Sequence, residues 1–223
     1  MQDEVYLKNA YGIIIDMIEE NSRVIDLGCG DGELLQLLQI KKNTYGLGID
    51  ISTDEVLKCI KRGVSVIQED IDEGLSQYKD QAYDYVILTE TLQAVKRPDF
   101  VLCQIVRIGK KAIVSFPNFA YWKLRIGMMF SGKMPKSQVL PYAWYNTPNI
   151  HQLTINDFKD FCRDNSIKIL KQIYLVNKGT ELKNSLGMEN MLAEEAIFLI
   201  EKQQTEKISV KEVSISNGKE VKK

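Results

Sequence analysis

The 223-residue sequence is poor in the features that mark secreted, membrane-spanning or zinc-dependent proteins. No apolar run approaches the length needed to span a bilayer, and the first residues lack the basic-then-apolar pattern of a secretory signal. The one histidine and the four widely spaced cysteines leave little material for a zinc site or a C-x-x-C redox pair. These absences predict a cytoplasmic protein with reduced thiols, no metal site and no membrane attachment.

An excess of charge of either sign is also missing. The 29 lysines and arginines against 30 acidic residues give a formal net charge of −1, which argues against nucleic acid as a partner. Apolar residues make up 44% of the chain, enough for a sizeable core, and the length suits one α/β domain with appendages.

Short apolar runs that alternate with helical patterns indicate a parallel sheet covered on both faces. The predicted strands cover residues 23–27, 45–49, 64–67, 83–88, 112–116, 168–176 and 196–200. Beyond residue 201 aromatic residues vanish and lysine dominates. We therefore predict one domain over residues 1–201 and a flexible tail over residues 202–223, with an added strand in the tail as the minor alternative.

A glycine-rich turn carries the strongest functional signal. Gly28, Gly30 and Gly32 directly follow the first predicted strand, and a predicted helix begins near Glu33. Glycine lets the backbone approach a ligand closely, and a helix start offers free N–H groups to an anion. The alternative is an ordinary strand–turn–helix that binds no ligand.

Asp26, two residues before the first glycine, indicates which nucleotide would bind. A pyrophosphate would not tolerate this carboxylate, whereas S-adenosylmethionine carries an ammonium group that needs one. Asp26 with Gly28-Cys29-Gly30 looks like the first motif of class I S-adenosylmethionine-dependent methyltransferases. Cys29 is apolar enough for the turn, and we expect no reactivity from its thiol.

Residues that follow the other strands complete the predicted site, because ligands of open parallel sheets bind at the carboxyl ends of the strands. Asp50 is placed to accept hydrogen bonds from ribose hydroxyls, and Asp70 to accept one from the adenine amine while Ile71 packs on the ring. The predicted cofactor-binding set is Asp26, Gly28, Cys29, Gly30, Asp50, Ile51, Asp70, Ile71 and Thr89. The alternative for each acid is a solvated loop carboxylate or a helix cap, and for Glu90 the two interpretations have equal weight.

Catalytic residues are harder to assign. The sulfonium is already an activated leaving group, so methyl transfer depends mostly on alignment. An oxygen or nitrogen acceptor would still need a base, and His151 is the candidate with an ordinary pKa near neutrality. We expect His151 to be a hydrogen-bonded loop residue instead. No Asn/Asp-Pro-Pro-Tyr motif, the mark of many amine-methylating enzymes, follows the fourth strand.

Residues 119–145, the aromatic segment, hold both tryptophans, three tyrosines and three methionines, interleaved with lysine and arginine. Interfaces are enriched in these residue types, so we expect a partner-docking surface beside or over the mouth of the cofactor site. The alternative is that an insertion over residues 119–150 caps the core as a lid.

Several further blocks resemble the MetW family of methionine biosynthesis proteins. The blocks are residues 24–33, 62–75, 91–98, 115–119, 132–135 and 140–151. The first is shared with many methyltransferases, whereas the later blocks are specific to the family. The likeness covers roughly residues 8–200.

This resemblance implies a three-layer, Rossmann-like class I methyltransferase fold, with a mostly parallel seven-stranded sheet whose last strand is reversed. It also implies S-adenosylmethionine as the ligand and homoserine O-acetyltransferase as the partner whose activity the protein supports. It supplies no methyl acceptor. Two interpretations stay open: an accessory subunit with S-adenosylmethionine as a structural or sensory ligand, or a methyltransferase acting on an unidentified small molecule.

Overall fold

The structure, a computed structural model, describes residues 2–137, 139–177 and 179–203. Apart from its first two residues, the predicted tail lies outside the described residues. In the first half, strands and helices alternate as the sequence predicts. The elements are α1 (Gln2–Met17), β1 (Arg23–Leu27), α2 (Glu33–Lys42), β2 (Tyr45–Asp50), α3 (Thr53–Arg62), β3 (Val66–Gln68), a 3-10 turn (Ile71–Glu73), β4 (Tyr83–Thr89), α4 (Pro98–Ile108) and β5 (Gly109–Pro117).

The second half of the described chain contains three helices and the last three strands. Its elements are α5 (Trp122–Ser131), α6 (Ile155–Asp164), β6 (Ile167–Val176), β7 (Thr180–Glu181), α7 (Glu189–Leu192) and β8 (Glu195–Lys202). Thr154 caps α6, since its side chain accepts from the backbone N–H of Asp157 while the Asp157 carboxylate accepts from the backbone N–H of Thr154.

The eight strands form one sheet in the order β3-β2-β1-β4-β5-β8-β6-β7. The first five strands run parallel, and β8 lies antiparallel between β5 and β6, so the last strand is reversed as the resemblance implies. The implied number of seven strands is wrong by one. The additional strand, β7, has two exposed polar residues that pair with the end of β6, so no apolar run in the sequence marks it.

Helices cover both sheet faces, which explains why the central strands are almost entirely apolar. One face packs on α4 and α6 around the rings of Phe116, Phe158 and Phe198, whose centroids lie 4.6 to 5.8 Å apart. The other face packs on α1 and α2 around side chains such as Ile14 and Leu38. The three-layer α/β architecture is therefore confirmed.

Both ends of helix α3 are explained by the residues that flank it. Ser52 accepts a hydrogen bond from the N–H of Glu55 at the start of α3, and Gly63 ends that helix with a φ of +76°. No helix among the described residues combines the length and the apolar character that crossing a lipid bilayer requires.

Candidate functional site

Four polar side chains form a row at the carboxyl end of the sheet face that packs on α1. This polar row consists of Asp26 on β1, Thr89 on β4, Ser115 on β5 and Glu195 on β8. Ser115 pairs with Thr89 on one side and with Ile197 on the other, and side chains two residues apart on a strand share a face. Glu195 therefore extends the row onto β8, whose start lies where the parallel strands end.

The polar row lines a first cavity of about 260 Å³. Residues Ala10, Tyr11 and Ile14 of α1 form another part of its wall. A second cavity of about 340 Å³ adjoins it, and the two share Gly28, Glu90 and Thr91. Together they follow the edge of the sheet where the strand order reverses between β1 and β4, which is where open α/β sheets bind ligands.

Every residue of the predicted cofactor set lines one of these two cavities. The first is lined by Asp26, Gly28, Cys29, Gly30 and Thr89. The second is lined by Gly28, Asp50, Ile51, Asp70 and Ile71. The structure thus brings the predicted residues together, and their role as cofactor ligands stays a prediction.

The glycine turn is fixed to the neighbouring strand by backbone hydrogen bonds. The N–H groups of Gly28 and Cys29 both donate to the carbonyl of Ile49, at 2.8 and 3.0 Å. Gly28 has a φ of +77°, and a Cβ at this position would come within 2.4 Å of Thr91 Oγ1. Only glycine therefore fits here without displacing the wall that the two cavities share.

Asp26 is the most strongly perturbed acid of the glycine-turn region. Only 1% of the residue is exposed, and its Oδ1 has no hydrogen-bond partner among the described residues. Burial, with the negative charge of Asp50 nearby, raises the pKa of Asp26 to about 7. An isolated buried carboxyl of this kind fits the ammonium group of S-adenosylmethionine, which would supply the missing donor and a compensating charge.

Asp50, at the end of β2, accepts two backbone hydrogen bonds through its carboxylate. Its Oδ2 accepts from the N–H of Gly30 at 2.9 Å, and its Oδ1 accepts from the N–H of Ser52 at 2.8 Å. Each carboxylate oxygen has a second lone pair, so Asp50 can still accept from ribose hydroxyls. Beside it, Ile51 is 64% exposed and offers an apolar wall to the second cavity.

For Asp70 the structure supports the helix-cap interpretation as well as a place in the cavity wall. Its Oδ1 accepts from the N–H of Asp72 at 2.9 Å at the start of the 3-10 turn, and its Oδ2 lies 3.8 Å from the exposed Lys96 ammonium. Ile71 follows directly and is 92% buried against the core, since its exposed fraction is 8%. Both residues remain available to a ligand in the second cavity.

Glu90 separates the two cavities and has an unusual backbone. Its φ is +51°, in the left-handed region that side chains with a Cβ rarely adopt, and its N–H donates to the carbonyl of Ser115 at 3.1 Å. The residue as a whole is exposed, but the cavity walls desolvate its carboxyl and raise the pKa of that group. Strain of this kind clusters at functional sites, so we assign Glu90 to the candidate site.

His151 lies outside both cavities. Its Nε2 is 3.3 Å from the carbonyl oxygen of Lys96, and its backbone N–H donates to the carbonyl of Gln93 at 3.0 Å. Its side chain borders a separate apolar pocket with Leu92 and Phe158. This is the hydrogen-bonded loop residue that the sequence predicts.

The aromatic segment is partly core and partly surface. Tyr121 and Leu140 are buried, whereas Phe130 is 79% exposed and Trp144 76%. None of the residues from 119 to 145 that the structure describes lines the first or second cavity. The position of the aromatic segment over the cofactor mouth, as a lid would require, is therefore not observed among these residues.

Asn118 joins the aromatic segment to the chain that precedes β8. The side chain of Asn118 is fully buried, and its Nδ2 donates to the carbonyls of Asn190 and Ala193, both at 2.9 Å. Its Oδ1 accepts from the N–H of Ala120 at 3.1 Å. One amide thus connects the start of the aromatic segment to residues just before Glu195.

Sequence reasoning missed several residues that line the first cavity. Those with a hydroxyl or carboxyl group include Tyr11, Thr91, Ser115 and Glu195. Glu195 had a usable signal, because an acid stands immediately before an apolar strand that the resemblance predicts to be reversed. In a reversed strand the residue at the start, rather than the one after the end, lies at the ligand-binding edge.

Two comparisons report on the fold. A putative S-adenosylmethionine-dependent methyltransferase from Listeria monocytogenes has a TM-score of 0.65 and 15% identity, over 89% of this chain and 100% of that one. The magnesium protoporphyrin IX methyltransferase ChlM from Synechocystis, solved with bound SAH, has a TM-score of 0.61 and 17% identity, over 89% and 82%. At these identities the likeness establishes the class I methyltransferase fold alone.

Two further comparisons report on the family. A curated relative from Rhodopirellula baltica, named bifunctional methionine biosynthesis protein MetXA/MetW, is 36% identical over 170 residues. That match covers 72% of this chain but 27% of the relative, so the chain spans about a quarter of that protein's length. The profile of the family described as Methionine biosynthesis protein MetW matches residues 8–200. The chain therefore belongs to the MetW family.

Proposed function

We propose that this chain binds S-adenosylmethionine and, as an accessory subunit, supports the activity of a homoserine O-acetyltransferase in methionine biosynthesis. The observation that supports this ligand is the buried Asp26 beside the glycine turn, whose Oδ1 has no hydrogen-bond partner in the part of the chain that the structure describes. Asp26 would receive the ammonium group, Asp50 the ribose hydroxyls, and Asp70 with Ile71 the adenine. When bound, the ligand would bring a sulfonium-activated methyl group to the boundary of the two cavities.

The choice of partner is supported by the two parts named in the R. baltica relative. Its name joins MetXA, an acetyltransferase component, to MetW in one protein, and fusion holds two domains at a high effective concentration. The exposed side chains of the aromatic segment offer a surface of the composition that such contacts use. Phe130, Trp144 and Tyr145 are each more than 70% exposed, which makes them candidate anchors.

The test is to purify the chain together with the homoserine O-acetyltransferase of the same source. We expect the two proteins to co-elute and acetyl transfer to homoserine to increase when the chain is added. S-adenosylmethionine and S-adenosylhomocysteine are then titrated into the mixture. An acetyltransferase whose rate and elution are unchanged by the chain, with and without these ligands, would refute the accessory role.

A second candidate is a methyltransferase that acts on a small molecule. The observation that favours it is the extension of the first cavity past Asp26 to Ser115 and Glu195, which leaves space beyond the methionine end of the ligand. Methyl transfer would form S-adenosylhomocysteine, which can be measured directly. Formation of S-adenosylhomocysteine in the presence of small-metabolite pools would support this candidate, and its absence at every pool tested would favour the accessory role.

A further inference from the structure

Glu195 is a second isolated buried carboxyl in the first cavity. The residue is 1% exposed, its Oε2 has no hydrogen-bond partner among the described residues, and it lines the cavity wall. An unpaired carboxyl in such surroundings has a substantial cost, and binding sites are where such costs are retained. Nothing in the proposed binding of S-adenosylmethionine uses this group.

Distance keeps Glu195 and Asp26 from sharing one cation. Asp26 lies on β1 and Glu195 on β8, with β4 and β5 between them. Neighbouring strands are about 4.8 Å apart, so three spacings separate the two backbones by about 14 Å. The ammonium group that Asp26 would hold cannot also reach Glu195.

A positive charge that stabilises the ionised form of Glu195 would come from a ligand. Among the described residues, the first cavity is lined by the acids Asp26, Asp31, Glu90 and Glu195 but by no lysine, arginine or histidine. Of these acids, Asp31 is paired with Arg62. The hydroxyl-bearing residues Thr89 and Ser115 lie on the same face between the two buried carboxyls, so the space near Glu195 suits a cation with further hydrogen-bonding capacity.

We propose that Glu195 binds the ammonium group of a second ligand, a small primary amine without a carboxylate, beside the methionine end of S-adenosylmethionine. This inference rests on the proposed function for its neighbour in the cavity. A carboxylate on the amine is disfavoured because it would add a second carboxylate, beside that of S-adenosylmethionine, to a cavity whose described lining residues include no basic side chain.

The ionisation of Glu195 is suited to this task. Burial raises the pKa of Glu195 to about 8, so near neutral pH the carboxyl is largely protonated in the free protein. An arriving ammonium group stabilises the carboxylate form and therefore lowers that pKa. The facing titratable groups of the cavity are Tyr11 on α1, Asp26 on β1, Cys29 and Asp31 in the loop after β1, and Glu90 in the loop after β4.

The experiment compares n-butylamine with neutral n-butanol as probes, by saturation-transfer NMR and calorimetry on the full chain. Each is titrated with and without saturating S-adenosylhomocysteine into wild type, Glu195→Gln and Glu194→Gln. Glu195→Gln keeps the shape of the side chain and removes its charge. Glu194→Gln is the matched control, since Glu194 is the neighbouring acid in the sequence and does not line the first cavity.

We expect wild type and Glu194→Gln to bind n-butylamine at least tenfold more tightly than n-butanol. Glu195→Gln should lose that preference and keep the wild-type affinity for S-adenosylhomocysteine. Equal amine binding by wild type and Glu195→Gln, or no amine binding by wild type, would overturn the inference. Amine binding that depends on Glu195 without any binding of S-adenosylhomocysteine would retain the amine site and refute the proposed cofactor instead.

Discussion

The N–H of Gly30 donates a hydrogen bond to Oδ2 of Asp50 at 2.9 Å, so the acid that ends β2 holds the glycine turn that follows β1. One carboxylate thus supports the shape of the turn and faces the second cavity. This contact spans the boundary between two neighbouring strands at the edge where ligands are expected. Removal of the Asp50 carboxylate should weaken ligand binding in two ways, because the ligand loses a direct contact and the glycine turn loses a support.

We predict that Asp50→Ala reduces the affinity for S-adenosylhomocysteine about tenfold or more. A lost hydrogen bond to a charged group costs about 1.5–3 kcal/mol, and the turn loses its support as well. Calorimetry measures the effect, with Asp54→Ala as the control because Asp54 is an exposed acid in the first turn of α3. Unchanged affinity in Asp50→Ala would count decisively against this placement.

Gly28→Ala should lower the free energy of unfolding by about 1–3 kcal/mol and weaken ligand binding. Its φ of +77° is unfavourable for alanine, and the added Cβ would meet Thr91 Oγ1. Gly12→Ala is the matched control: no atom lies within 4 Å of its Cβ position, and it lies inside α1. For Gly12→Ala we expect the free energy of unfolding to increase by about 0.5–1 kcal/mol. Equal denaturation midpoints for both variants would contradict the argument.

Stability should fall as the pH rises from about 5 to 8. The folded-state pKa of Glu195 is raised from an ordinary 4.5 to about 8, so its contribution is fully present below pH 4.5 and is lost as the carboxyl ionises in the fold. The pKa of Asp26 is raised from 3.8 to about 7, so its ionisation adds to the same loss of stability. Each pKa unit corresponds to about 1.4 kcal/mol, and cavity water offsets part of the effect, so we expect Glu195 to account for a loss on the order of 2 kcal/mol.

Denaturant unfolding of the ligand-free protein at several pH values measures this slope. Glu195→Gln should be more stable than wild type at pH 8 and should show a shallower decline. If the two proteins lose stability in parallel across this range, Glu195 does not ionise in a buried environment. Addition of a primary amine should reduce the difference between them.

His151→Gln should leave both the affinity for S-adenosylhomocysteine and any methyl transfer unchanged. His151 borders the apolar pocket beside Leu92 and lines neither cavity of the site. The same calorimetric titration and an assay for S-adenosylhomocysteine formation check this. If a methyl acceptor is found and the variant loses turnover by about a hundredfold, His151 is the general base after all.

Tyr142→Ala and Arg125→Glu should reduce co-purification with the homoserine O-acetyltransferase and stimulation of its activity. Both residues are exposed in the aromatic segment and lie outside the cavities, so ligand affinity should not change. Tyr45→Ala is the control, since Tyr45 is a similarly exposed tyrosine at the opposite end of the sheet. Complex formation that survives both changes would leave the aromatic segment without a docking role.

Element bounds could be predicted from the sequence where both a cap residue or turn and a pattern of buried apolar residues mark them. Strand β1 has the predicted bounds, and α3 lies between its cap residues Ser52 and Gly63. Helix α2 continues to Lys42, one turn beyond its last buried residue Leu38, and this turn has no buried face to mark it because its apolar residue, Ile40, is 74% exposed. Helix α5 was not predicted, since apolar residues lie all around it and it buries Leu124 alone.

Some residues of the candidate site could likewise be predicted from the sequence, and others could not. Asp26, Asp50 and Asp70 each follow or end a parallel strand, so their convergence could be predicted from sequence order alone. Glu195 could not be found by that rule, because β8 runs antiparallel and delivers its first residue to the site. Tyr11 reaches the cavity from α1, and a helix that covers a sheet gives no sequence signal for which residue faces a ligand.

The buried amide of Asn118 joins the backbone beneath one proposed binding surface to the backbone beneath the other. It grips the carbonyl of Ala193 two residues before Glu195, and it also fixes the N–H of Ala120 at the base of the aromatic segment. A protein partner that displaced this base would pull on the amide and thereby shift the start of β8. Occupancy of the amine position and attachment of the partner would then influence each other's affinity to the same extent, as linkage requires.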